Sequence, residues 1–86
     1  MKVIGLKDLQ RKDTPLHYIR EFHALAVLET VAGNREAPLA FTIERKPLGP
    51  PEVSVRFLDE LEWPLVPLIR SVKDLVIGLD QKGGLP

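Results

Sequence analysis

"LHYIREFHALAVLETVAGN", residues 16–34, can be laid out as a helix or as a strand, and the fold turns on the choice. The helical layout has good ends: Thr14 stands as an N-cap, Pro15 falls in the first turn where its missing N–H costs nothing, and Gly33 follows the last turn. Its middle fails. Leu16, Ile19, Phe22 and Ala26 share a helical face, but that face runs on to Glu29 and Thr30, while Leu25, Val27, Leu28 and Val31 scatter around the axis. As a strand, Phe22 to Val31 is apolar on both sides, as in a segment covered on both faces, and "GN" at 33–34 supplies a turn. The expectation is a strand over 18–32, with a helix over 15–32 as the alternative.

The segments after it are less ambiguous. In "APLAFTIER", 37–45, Leu39, Phe41 and Ile43 alternate with Ala40, Thr42 and Glu44. In "EVSVRFL", 52–58, Val53, Val55 and Phe57 alternate with Ser54 and Arg56. Between them "KPLGPP", 46–51, carries prolines that cannot donate to a sheet ladder, so it reads as a stiff hairpin loop. Sequential strands joined this way form an antiparallel meander.

From Leu65 the period changes. Leu65, Leu68, Val72, Leu75 and Leu79 recur at helical spacing, widened by Ile69 and Val76. Pro64 and Pro67 sit where helix N–H groups have no intrahelical partner, Asp59, Glu60 and Glu62 place negative charge before the helix start, and Gly83 and Gly84 supply a stop. Ahead of everything, "MKVIGLKDLQRKD" offers Val3, Ile4, Leu6 and Leu9 without a clear period, and "DTP" at 13–15 breaks the chain. The predicted architecture is a two-layer α+β domain over 16–86, β-β-β-α, with a three-stranded antiparallel meander packed on one C-terminal helix and an N-terminal arm over 1–15.

With 86 residues there is material for one core. The absence of cysteine fits a reducing, cytoplasmic setting and removes thiolate metal sites, nucleophiles and redox motifs. No apolar run approaches the roughly 20 residues that cross a bilayer as a helix, so no membrane partner is expected. Twelve basic and twelve acidic residues cancel without a block of either sign, which argues against a strong nucleic-acid binder.

Chemistry-bearing residues are sparse. His17 and His23 would lie about 20 Å apart on a strand, or about 120° apart around a helix, and neither spacing closes on one metal ion. Asp59, Glu60 and Glu62 lack the glycine-shaped loop of a calcium site, and Ser54 and Ser71 stand in no activating motif. No catalytic residue, metal ligand or cofactor is therefore expected, and nothing points to an enzyme. What remains is apolar surplus: Trp63 just ahead of the helix, Val66 and Ile77 on its flanks, and the second apolar face of the first strand. Such surface marks an interface. The expected function is that of a small self-associating binding or structural module, a homodimer with room for another protein partner. The alternative is a nucleic-acid-binding accessory protein that uses Arg20, Arg45 and Arg56 on the polar face of the sheet.

Overall fold

Phe22, Ala24, Ala26 and Leu28 are buried while the residues between them are only partly so, and this two-residue period makes the ambiguous segment a strand. The structure is a computed structural model, and it describes residues 2–62 and 64–86. Its elements are β1 (Lys2–Lys12), β2 (Ile19–Thr30), β3 (Gly33–Glu44), β4 (Glu52–Phe57) and α1 (Leu65–Gln81). The strands form one antiparallel sheet in the order β1-β2-β3-β4, with the helix on one face. The α+β class with a C-terminal helix stands.

The strand number is corrected from three to four. Residues assigned to an N-terminal arm form β1, paired with β2 from Lys2 opposite Glu29 to Lys12 opposite Glu21. The reason lies in two register shifts, one between Val3 and Gly5 and one between Lys7 and Gln10. Each inserts a residue, so Val3 and Leu6, three apart in sequence, stand opposite Leu28 and Ala26, which share a face. Leu9 is likewise turned to the core, and Asp8 takes a positive φ of 54° in the second bulge, a conformation aspartate tolerates. A spacing of three is neither a strand period nor a helix period until the bulges are known.

Strands β2 and β3 pair without interruption from Ile19 opposite Glu44 to Thr30 opposite Gly33. That ladder satisfies the backbone of the whole segment, so the helical alternative over 15–32 does not form. Val31 and Ala32 turn the hairpin, Gly33 accepts a φ of +111°, and the Thr30 hydroxyl donates to the Gly33 carbonyl at 2.7 Å. Thr14, a possible helix cap in sequence, instead accepts the Leu16 N–H at 3.3 Å in the turn that joins β1 to β2.

The core is built from Phe22, Leu28, Leu39, Phe41 and Ile43 of the sheet against Leu68, Val72 and Val76 of the helix. Phe22 and Phe41, direct cross-strand partners, stack with ring centroids 4.9 Å apart. Helix α1 starts after Pro64 with no side-chain cap, and Pro67 fits its first turn. It ends where Gly83 donates to the Asp80 carbonyl and Gly84 to the Leu79 carbonyl at 2.8 Å, with Gly83 at φ +70°. The sheet outreaches the helix: 12-residue strands run about 40 Å against about 25 Å for 17 helical residues, in a molecule 43 Å long. The turn between β2 and β3 therefore projects, with residues 31–36 exposed.

Candidate functional site

Because β2 is buried on alternate residues toward the helix, its other set, Glu21, His23, Leu25, Val27 and Glu29, points to the opposite side of the sheet. The register brings Pro38 beside Leu25 and Ala40 beside His23 on that side, and Leu58 follows past the end of β4. Leu25, Val27, Pro38 and Ala40 thus form an apolar strip along the middle of the open face. Among the described residues no second layer lies over it. Neighbouring side chains cover these residues only laterally, so Leu25, Val27 and Pro38 are partly buried.

Charge is ordered around the strip. Lys2, Lys7 and Lys12 of β1 stand opposite Glu29, Leu25 and Glu21, and so share the open face. On the other side Glu36 and Glu44 of β3 stand opposite Val27 and Ile19. A lysine row thus borders the strip at β1 and glutamates border it at β3. Lys7 and Glu36 reach across β2 to form an ion pair, and this hydrogen bond to Glu36 raises the Lys7 pKa above its ordinary value. His23 Nε2 lies 4.0 Å from Glu21 Oε2 on the same face.

The sheet edges are poorly suited to pairing with another chain. Two bulges break β1, and β4 has only six residues. The open face is therefore the larger continuous surface left without a covering layer.

The residues singled out in the sequence are dispersed. Val66 and Ile77 are 68% and 41% exposed on the outer flank of α1, about 16 Å apart along its axis with Arg70 and Lys73 between. Isolated exposed apolar residues of this kind are ordinary. Trp63 lies outside the described residues. Arg20 turns to the helix side, where Nη1 and Nη2 donate to Oδ1 and Oδ2 of Asp80 at 2.9 and 3.2 Å. Arg45 follows β3 on that same side, whereas Arg56, opposite Ala40, is on the open face. The three arginines therefore do not form one surface. Among the described residues no three His, Asp or Glu side chains gather as a metal site, and no helix is long and apolar enough to cross a membrane.

Leu25 and Val27 were legible as the second apolar face of the first strand. Their neighbours Pro38 and Ala40 were not, since small residues on an alternating strand read as its outward side. The chain belongs to the family designated BB_0187, which matches residues 1–81 and whose description names no function. No curated protein and no solved structure matches the chain.

Proposed function

We propose that this member of the family is a self-associating structural or binding module, a two-fold dimer formed through the open sheet face. The observation that carries the reading is the apolar strip of Leu25, Val27, Pro38 and Ala40, bordered by lysines on one side and glutamates on the other. A two-fold axis along β2 sets Leu25 and Val27 against their own copies. It also turns the row of Lys2, Lys7 and Lys12 onto the Glu36 and Glu44 side of the second chain, so the surface is complementary to itself in charge. Strands of 11, 12, 12 and 6 residues give a face of roughly 650 Å² in plan, near the roughly 800 Å² per partner of a standard interface. The absence of cysteine supports a reducing, cytoplasmic setting for the assembly.

Light scattering at micromolar concentration tests this. The expected mass is about twice the 9.7 kDa of one chain, and Val27→Lys is expected to halve it while the circular dichroism spectrum is kept. A 9.7 kDa species for the unmodified chain overturns the dimer, and a Val27→Lys variant that stays dimeric overturns the face. Nucleic-acid binding through Arg20, Arg45 and Arg56 has less support, because those side chains lie on both sides of the sheet.

A further inference from the structure

On the helix side, at the end of the sheet where Arg20 meets Asp80, the strands leave a hollow of about 320 Å³. Arg11, His17, Tyr18, Arg20, Arg45 and Lys46 line it. Two of these cations are already compensated: Arg20 by Asp80, and Lys46 by Glu52 at 3.2 Å. Among the described residues the guanidinium groups of Arg11 and Arg45, the His17 ring and the Tyr18 hydroxyl make no hydrogen bond or ion pair within the chain. The two arginines come from opposite sides of β2. Arg11 of β1 stands opposite Phe22, while the Arg45 N–H donates to the Tyr18 carbonyl at 2.7 Å. Uncompensated like charges facing one hollow repel, and an anion between them removes the repulsion.

A second hollow, about 450 Å³, adjoins the first and shares Tyr18, Arg45 and Lys46 with it, adding Glu44 and Pro47. Its wall offers a phenol ring and a proline, surfaces against which a planar ring packs. The loop that closes both is stiffened by Pro47, Pro50 and Pro51, with Gly49 at φ +86° taking the turn, so the wall loses little freedom on binding. Each volume falls in the range of small-molecule sites.

We propose that these joined hollows bind a nucleoside phosphate, its phosphate between Arg11 and Arg45 and its base against Tyr18 and Pro47. Arginine suits the first role because its planar fork matches phosphate oxygens two at a time. The site is on the opposite side of the sheet from the proposed dimer face, so it stands or falls independently of self-association.

Titration of the labelled full chain with adenosine monophosphate, adenosine and inorganic phosphate, followed by amide chemical shifts at low salt, tests it. Adenosine monophosphate is expected to saturate in the low-millimolar range or below, with shifts confined to residues near 11, 17–20 and 43–49. Inorganic phosphate is expected to move a subset of the same amides more weakly. Arg45→Gln is expected to weaken the nucleotide by about tenfold, the loss of one charge-assisted bond, with other amides unmoved. Three results overturn the proposal: no saturation by about 10 mM nucleotide, adenosine binding as tightly as its phosphate, or equal affinity in Arg45→Gln. A single-stranded oligonucleotide whose shifts spread to Arg56 on the open face overturns it in favour of a strand-binding surface.

Discussion

Arg20 and Asp80 stand 60 positions apart in sequence and meet in a two-bond ion pair, with side chains 35% and 26% exposed. The partial shelter and paired geometry lift this contact above an ordinary surface pair, and it ties the start of β2 to the last turn of α1. A double-mutant cycle with Arg20→Ala and Asp80→Ala is expected to give a coupling of about 1 kcal/mol, read from urea unfolding midpoints; a coupling near zero removes the tie. Lys46 and Glu52 pair across the proline-rich loop at more exposed positions and contribute less. Lys7 has its pKa raised by Glu36, so whatever that pair contributes to stability is complete below the ordinary lysine value and is lost as pH climbs through the raised one.

Elements show the same dependence on a few positions. Helix α1 ends because Gly83 adopts a left-handed φ of +70°, which lets Gly84 reach back to the Leu79 carbonyl. Gly83→Ala is expected to cost about 1 kcal/mol, measured by denaturant unfolding, since a Cβ is strained there although no neighbour crowds it. Strand β1 is the element whose sequence hides it. Val3, Leu6 and Leu9 reach the core only because the bulges absorb one residue between each pair, and the bulges arise from pairing with β2. The β4 and α1 patterns needed no such partner to be read. Their periods are regular, and the observed bounds, Glu52–Phe57 and Leu65–Gln81, fall within about a residue of the spacing.

At the scale of the whole molecule, one helix covers one face of a longer sheet and packs between the edge strands β1 and β4, leaving the other face open. That asymmetry underlies the proposed dimer, and it separates the dimer face from the arginine-lined hollows. Charged rows that meet across a partly exposed interface are screened by salt. The dimer is therefore expected to dissociate more readily as sodium chloride rises from about 0.05 to about 0.5 M, measured by sedimentation; insensitivity to salt removes the lysine and glutamate rows from the interface.

The amino-acid sequence determined the elements whose pattern is local. Alternation in 37–45 and 52–58, helical spacing from Leu65, prolines at 46–51 and glycines at 83–84 act through neighbours in the chain, and each produced the element it implies. Only the tertiary structure decided what depends on partners far along it. Strand pairing made 19–30 a strand and drew residues 2–12 into the sheet, because a backbone ladder satisfies groups that the segment alone leaves open. The register then gathered Leu25, Val27, Pro38 and Ala40 on one side and aimed Arg11 and Arg45 at one hollow on the other. Face and cavity are properties of several strands side by side, and no single segment carries either one.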